Sequence, residues 1–474
     1  MKSVEQSIVL RHKGNAVYRD QKLSEALQLY SLAALMAPIN CVEIALAYSN
    51  RSTVLFELKR YDESLRDIKR ALSQHCLIDS SVIERLQRRQ TKCHELLADV
   101  SCYNCDSPGN GLSPDSSLSV NLHCSDFYSA QMNCNIVRVA FNSADGRHLI
   151  AVENIQPNTV VLRETPFTTI LLPLYLTSRC WTCTKPLPLD WIACTNCTDV
   201  RYCNEECACD PVNKVIHRIE CSYVSTLIQT GLMHLSVRTL ALLLTESSET
   251  FDSNFFAANV NSVTNMSYPS EADILNGSFS CYKATVALQN HVPTAKHDDL
   301  VETVLSHLKP LGVFSRFAPI YCKELCVSTA ESGNTEEVIA VSIANLIVAI
   351  TMKLIVNAHC ITPSEESRRG HMKINSELGM VSQNEVSVAT GLYPLTALMN
   401  HSCVPNIRID FDGNVAEVRT VKFVAKGSQL LNCYGPLASA TKYDERQEML
   451  MEQYNFWCHC EACEKEKRDQ FERK

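Results

Sequence analysis

Asn400-His401-Ser402-Cys403-Val404-Pro405-Asn406 is the stretch on which the reading of this chain turns. Strand patterning follows it directly, at 407–411, 415–421 and 429–434. Farther on come Cys458, Cys460 and Cys463, three thiolates without a fourth ligand. Cys403 can supply it, giving a closed site of four thiolates that ties the tail back onto the core. The bland alternative is a reduced cluster of surface cysteines.

Upstream, four more pairs have metal-ligand spacing: Cys180-x2-Cys183, Cys194-x2-Cys197, Cys203-x3-Cys207 and His217-x3-Cys221. A Cys-x2-Cys pair on a tight turn puts two sulfurs on one ion, and an x3 pair does the same from a helical turn. Seven thiols and one imidazole therefore suffice for two tetrahedral zinc sites, with Cys209 close enough to Cys207 to be an alternative ligand. Such a module is structural or binds partners, so the chemistry must lie elsewhere.

With 474 residues the chain has room for about three domains. At 46% hydrophobic and 20% charged it can fill substantial cores. A net charge of −8 and a pI near 6.0 disfavour direct binding to nucleic acid, whose phosphates require a basic surface. Most of the ordered clusters among the 24 Cys have zinc spacing, which points to a reducing interior rather than a disulfide scaffold. The opening MKSVEQSIVLRHKG has no signal-peptide core. The apolar run 338–352 carries Ser342 and Asn345 and is too short for a membrane span; Asn334 and Glu337 read as the cap of a buried helix. A soluble chain is expected, in cytoplasm and nucleus, with no membrane partner.

The first hundred residues repeat internally. Sliding by 38 places Lys13-Gly14 on Arg51-Ser52, Tyr18 on Phe56, Leu23-Ser24-Glu25 on Tyr61-Asp62-Glu63, and Ala33-Ala34 on Ala71-Leu72. Each copy reads as two amphipathic helices and looks like a tetratricopeptide repeat, with a third helix at 81–98 as a cap. Residues 101–133 read as a linker rich in Ser, Asn, Gly and Pro. Strand-like alternation begins after Asn135, at 137–139, 149–152 and 160–162. Helical segments are expected at 224–245, 283–308 and 335–358, with polar loops at 246–280 and 362–385.

Three blocks remain in order: the stretch at 400–406, then Asn432-Cys433-Tyr434-Gly435, then Tyr454-Asn455-Phe456-Trp457-Cys458 with its cysteines. They resemble a SET-domain protein-lysine methyltransferase with post-SET cysteines. The spacing at 180–221 resembles a MYND zinc finger. Together with the repeats, the chain resembles the SET-and-MYND family, of the fourth-member type. The match covers roughly 6–98 and 135–465.

The resemblance implies an α+β fold: a β-rich SET core split by the finger and a helical insert, preceded by the α-helical repeats. Its parts would be repeats at 1–100, linker at 101–133, SET segments at 134–179 and 386–436, finger at 180–221, helical insert at 222–385, and post-SET segment at 437–474. It implies transfer of a methyl group from S-adenosylmethionine to a lysine of a protein substrate. Within the finger, the first and third pairs would share one zinc and the second and fourth another, with a third zinc on Cys403, Cys458, Cys460 and Cys463. Asn400 and His401 would hold the cofactor through side-chain and main-chain bonds, Tyr434 would orient the amine, and Tyr454 and Phe456 would line cofactor and lysine channel. Asn357 matches another cofactor contact and is equally readable as a helix C-terminal polar residue. Tyr393 reads as core.

The family's Gly-x-Gly turn becomes Gly146-Arg147-His148 here, with Arg147 placed to meet the cofactor carboxylate. Only 11 residues follow Cys463, where family members continue into a helical domain; the cleft would be more open or the chain shortened. The repeats have their own expected partner, a chaperone C-terminal tail held by Arg11, Asn15, Asn50 and one of Arg85, Arg88 or Arg89; a proline-rich co-repressor peptide is the other partner class. The competing function is a non-catalytic adaptor or co-repressor scaffold joining such partners.

Overall fold

The computed structural model describes residues 1–103, 120–125, 128–246, 285, 288, 297–324, 336–363, 387–435 and 437–472. The polar loops expected at 246–280 and 362–385 lie outside these residues except at their ends. Two compact units emerge, Met1–Asp115 with Tyr175–Asp210, and Ser116–Leu174 with Pro211–Lys474.

Five helices open the chain: α1 (Val4–Arg19), α2 (Leu23–Met36), α3 (Val42–Glu57), α4 (Tyr61–Leu72) and α5 (Ser80–Tyr103). The Ser3 hydroxyl caps α1 by accepting from the Gln6 N–H at 3.2 Å. The period of 38 recurs in detail. Gln21 and Lys59, which join the helices of each hairpin, both turn at φ 59°. Gly14 is glycine for a steric reason, since a Cβ there would come within 2.6 Å of the Tyr30 ring. Its counterpart Ser52 is fully buried and bonds the Ser49 carbonyl at 2.7 Å.

Next come β1 (Val120–Ser125), β2 (Tyr128–Met132), β3 (Val137–Asn142), β4 (Gly146–Ala151), β5 (Val160–Glu164) and β6 (Thr168–Leu171). The expected linker at 101–133 is corrected here, since β1 and β2 fall within it and pair with each other. Five residues of alternation, Tyr128, Ala130 and Met132 inward, are too few to stand out among polar neighbours. After the two-residue strands β7 (Ile192–Ala193) and β8 (Arg201–Tyr202) come helices α6 (Glu205–Cys209), α7 (Pro211–Glu220), α8 (Val224–Leu227), α9 (Leu232–Glu246), α10 (His297–Leu308), α11 (Val313–Glu324) and α12 (Glu336–Asn357). The chain continues through β9 (Ala358–Ile361), β10 (Ala389–Leu392), β11 (Ile407–Asp412) and β12 (Val415–Thr420) to α13 (Tyr443–Tyr454) and α14 (Glu461–Glu472).

In the first unit the repeat helices and the β7–β8 hairpin share a buried ionic network. Arg51 and Asp67, both fully buried, pair at 2.6 Å, and the Arg51 guanidinium also donates to the Trp191 carbonyl at 3.1 Å. Asp190 is buried too and takes Arg66 at 2.7 Å and Arg70 at 3.1 Å. Arg66 and Arg70 hold the Asp190 carboxyl below its usual range against the burial that would raise it.

In the second unit an antiparallel five-stranded sheet runs β1-β2-β5-β12-β11, beside a three-stranded sheet β6-β10-β9 and the hairpin β3–β4. β6 is buried along its whole length, which removes the alternation that would have announced it. The 429–434 stretch, expected as a strand, makes only isolated bridges, Ile150 to Gln429 and His401 to Asn432. α9 and α12 bury their apolar residues in one core with the strands. At 22 residues α12 falls within the helical segment expected at 335–358 but outruns the apolar stretch 338–352 judged too short for a span, and by length and composition alone it could cross a membrane. Instead Ile343, Ala344, Ile347 and Leu354 are buried against the rest of this core.

Candidate active site and metal centres

The β3–β4 turn presents one side of the site. Asn142 Oδ1 accepts from the Ala144 and Asp145 N–H groups at 2.9 and 2.7 Å, closing the loop, and Gly146 follows at φ +66° with open space where a Cβ would be. Asn400 reaches this turn, its Nδ2 donating to the Asp145 carbonyl at 3.0 Å and to Gln429 Oε1 at 3.1 Å. His148, standing where the family has glycine, is buried; its Nδ1–H donates back to the Gly146 carbonyl at 2.9 Å.

The stretch carrying Asn400 and His401 is held from beneath by Glu164, at the end of β5. This carboxylate is fully buried and accepts from the Leu395 and Thr396 N–H groups at 2.8 Å, the Thr396 hydroxyl at 2.6 Å and the Tyr128 hydroxyl at 2.5 Å. Burial pushes the carboxyl up, while these hydrogen bonds act to lower it. Above it, Ser402 N–H donates to the Asn432 carbonyl at 2.7 Å, and Asn406 clamps the same passing stretch through the Gln429 carbonyl and the Leu431 N–H. Sequence reasoning missed Glu164; a carboxylate on the same strand face as the buried Leu162 is the signal that could have found it.

Four rings gather at the other end. His401 and Tyr434 stand 5.3 Å apart, Tyr434 and Tyr454 4.9 Å, and His401 and Phe456 5.9 Å between centroids. The Tyr434 hydroxyl donates to the Met399 carbonyl at 3.0 Å, and Tyr454 donates to the Tyr434 carbonyl at 3.2 Å. Burial raises the ionisation of both phenols well above the usual tyrosine range, so both stay neutral donors. The His401 ring is engaged within the protein. Its Nδ1 accepts from the Tyr434 N–H at 3.0 Å and its Nε2 meets Cys403 Sγ at 3.3 Å, so both nitrogens are engaged and only its main chain is free for a ligand. Tyr393 is core as expected, fully buried with its hydroxyl on the Asn414 carbonyl at 2.7 Å.

The ligand atoms of three sets lie within 4.8 Å of one another: Cys180, Cys183, Cys203 and Cys207; Cys194, Cys197, His217 and Cys221; and Cys403, Cys458, Cys460 and Cys463. Each offers the four soft or borderline ligands of a closed zinc site, so the residues fit three zinc ions. Cys209 is exposed and belongs to none of the sets. Around the third set, Gln447 clamps Cys458 through its carbonyl and its N–H at 2.9 and 2.8 Å, and the buried Arg446 donates to Cys463 Sγ at 3.6 Å.

Asn357 closes α12, its Nδ2 donating to the Lys353 carbonyl at 2.8 Å. In the repeats, Asn15 Oδ1 accepts from both Asn50 Nδ2 and the Tyr30 hydroxyl at 2.9 Å, so these two asparagines do come together. Arg11 pairs with Glu43 at 2.8 Å. Arg85 and Arg88 stay on the exposed side of α5, Arg85 bonding its own helix at the Ser81 carbonyl. Arg89 is the one of the three that turns inward, to Ser52 Oγ at 2.7 Å.

The SET-domain family profile matches residues 66–435. The chain is 26% identical over 527 residues to "Protein-lysine N-methyltransferase SMYD4" of Danio rerio, across 98% of this chain and 66% of that protein. For the Mus musculus protein of the same name the figures are 25% over 546 residues, 96% and 66%. The chain thus spans about two-thirds of the length of these curated relatives. "N-lysine methyltransferase SMYD2-A" of Xenopus laevis is 35% identical over 98 residues, 20% of this chain and 22% of that one. A solved SET domain of LSMT bound to lysine and AdoHcy aligns at 12% identity and TM-score 0.25 over 63% of this chain and 49% of its own, too loosely to place any residue. With the profile covering most of its length, the chain belongs to the SET-domain family, in its SET-and-MYND branch of the fourth-member type.

Proposed function

We propose that this chain transfers a methyl group from S-adenosylmethionine to a lysine side chain of a protein substrate. The observation that carries the reading is the ring cluster of His401, Tyr434, Tyr454 and Phe456, standing beside Asn400 and the glycine turn. Aromatic faces suit both an ammonium and a sulfonium. The residues fit the cofactor: Gly146 leaves room for close approach, Arg147 supplies positive charge, and Asn400, Asn357 and the His401 main chain supply polar contacts.

When bound, the sulfonium supplies an already activated methyl group, so the protein need only align a neutral amine and exclude water. Tyr434, whose O–H is spent on the Met399 carbonyl, presents oxygen lone pairs that can accept from the amine and fix its direction. Tyr454 and Phe456 pack against it and dry the channel. The test is calorimetric titration of S-adenosylmethionine into zinc-loaded protein, with Asn400→Ala as control, followed by methyl transfer with Tyr434→Phe. Wild-type binding lost in the control supports the reading; unchanged transfer by Tyr434→Phe would remove Tyr434 from it.

The helical hairpins at 1–103 read as tetratricopeptide-type repeats and the 180–221 segment as a MYND finger. The repeats recruit an acidic peptide end, with Asn15, Asn50 and the inward Arg89 as its contacts. A fluorescent peptide ending in acidic residues should bind the wild type and lose affinity in Asn15→Ala; equal binding by both would leave the repeats without this role.

A further inference from the structure

Arg446, in the first turn of α13, is a buried cation beside the third cysteine set. Its side chain has no exposure to solvent, and among the described residues its ion pair is with Glu466 at 3.0 Å, a carboxylate 37% exposed. The guanidinium also donates to the Thr441 carbonyl and to Cys463 Sγ, the latter at 3.6 Å. Its Nε–H is buried and finds no acceptor among the described residues. A partly exposed carboxylate shares its charge with water, so it offsets only part of the cost of taking a guanidinium out of solvent. Further negative charge is called for, and the other charged-type group that Arg446 touches is a sulfur of the metal set.

The chemistry of that set supplies the charge. Four thiolates around a divalent zinc leave two negative charges over, and Cys403, Cys458 and Cys463 are buried, so water does little to disperse them. A buried cation and a buried anion stabilise each other, and neither is comfortable alone. α13 presents two consecutive side chains to the set. Gln447 holds the segment carrying Cys458, and Arg446 faces the sulfur of Cys463. The same face continues along the helix: Arg446, Leu450 and Tyr454 stand four residues apart and all are buried. Leu450 and Tyr454 pack in one cluster with Cys403, Cys458 and Cys463. One side of α13 thus runs from the metal set to the ring cluster.

We propose that Arg446 is the charge-compensating partner of the third metal set: its guanidinium favours the four-thiolate, zinc-loaded form through Cys463 Sγ, and α13 carries the effect to Tyr454. Arg446 is a positioning residue, since it acts on the rings only through the metal set and the helix. The first part rests on the zinc reading of the four cysteines, and the link to Tyr454 rests in addition on the S-adenosylmethionine reading above. Loading the metal and burying Arg446 then favour each other, because four neutral thiols would leave the guanidinium with Glu466 alone.

The experiment measures zinc retained per chain, by elemental analysis, across a series of chelator concentrations. It compares the full chain with Arg446→Gln, Arg446→Lys and Glu466→Gln, and with Arg446→Gln combined with Cys460→Ser. Arg446→Gln should release one zinc at roughly 10- to 100-fold less chelator than wild type, the scale of a lost outer partner of a metal ligand. Arg446→Lys keeps the charge and should hold that zinc nearly as wild type does, and Glu466→Gln should lose it less readily than Arg446→Gln. Once Cys460→Ser has removed the third zinc, Arg446→Gln should release no more. Retention in Arg446→Gln equal to wild type, equal losses in Arg446→Gln and Glu466→Gln, or loss of the other two ions in the combined variant each overturn the assignment. Should the glutamine variant not fold, Arg446→Lys decides: release of its zinc as readily as in Cys460→Ser overturns the assignment, and retention supports it. S-adenosylmethionine affinity, titrated on the same samples, should fall in Arg446→Gln in step with the lost zinc, and a level affinity overturns the link to Tyr454. Wild type that binds no S-adenosylmethionine overturns the cofactor reading and that link with it, while the zinc result judges Arg446 by itself.

Discussion

His401 Nε2 lies 3.3 Å from Cys403 Sγ, while the Nδ1 of the same ring accepts the Tyr434 main-chain N–H at 3.0 Å. Because Nδ1 must be the acceptor, the proton sits on Nε2 and is directed at the sulfur. One imidazole therefore joins the third cysteine set to the residue that our reading places at the transferred methyl group. A thiolate held by a metal is a good acceptor for that N–H, and the bond orients the ring and, through it, Tyr434.

Losing the third metal should therefore be felt in the pocket. Cys460→Ser is expected to lower bound zinc by one ion per chain, read by elemental analysis. It should also weaken S-adenosylmethionine binding about 10-fold or more, within the range for disturbed metal surroundings. Unaltered ligand affinity in a variant that has lost its zinc would show that the His401 bridge carries no such coupling.

Glu164 gives a prediction with a sign. Its folded ionisation is raised by burial, so between the ordinary carboxyl value of 4.5 and its own the folded state holds more protons than the unfolded. The stability it contributes is then fully present below 4.5 and falls as pH rises through the folded value. Glu164→Gln cannot accept at both oxygens and turns an amide N–H toward the Leu395 and Thr396 donors. It should cost about 1–3 kcal/mol in urea unfolding, and this cost should shrink as pH rises above 4.5. A cost that grows with pH would mean that Glu164 is stabilised as the anion.

In the first unit, Asp67 accepts from Arg51 through both oxygens, at 2.6 and 2.8 Å, and from Arg70 at 2.8 Å. Asp67→Ala leaves the fully buried Arg51 without its carboxylate. Removing one partner of a buried pair costs about 3–5 kcal/mol. The loss should appear in the urea midpoint of the tryptophan fluorescence, because Trp191 sits against Arg51 and Arg201, at 6.0 and 5.1 Å from its ring. A midpoint that does not move would show that the network is dispensable to this unit.

What could be read beforehand follows from how far each signal reaches along the chain. The period of 38 carried the four repeat helices because Gly14 and Ser52, or Gln21 and Lys59, repeat the same packing and turn. The cysteine spacings carried the metal sets because ligand geometry is local. β6 and β2 were illegible, one buried on both faces and the other only five residues long. Glu164 and the double engagement of His401 depend on contacts between distant segments, such as Glu164 with Thr396, that no periodicity encodes.

His148 offers the sharpest test of the one departure from the family's glycine turn. Its ring does not stand over the turn but is buried and donates to the Gly146 carbonyl at 2.9 Å, fixing the left-handed residue that opens β4. Restoring glycine would remove both the ring packing and that bond, and would add backbone freedom in a strand, for about 1 kcal/mol from the freedom alone. We expect His148→Gly to melt at a lower temperature and to bind S-adenosylmethionine no more tightly than wild type. A gain in affinity would show instead that the ring crowds the pocket, and that the cofactor loop of this chain is weakened by the residue that braces it.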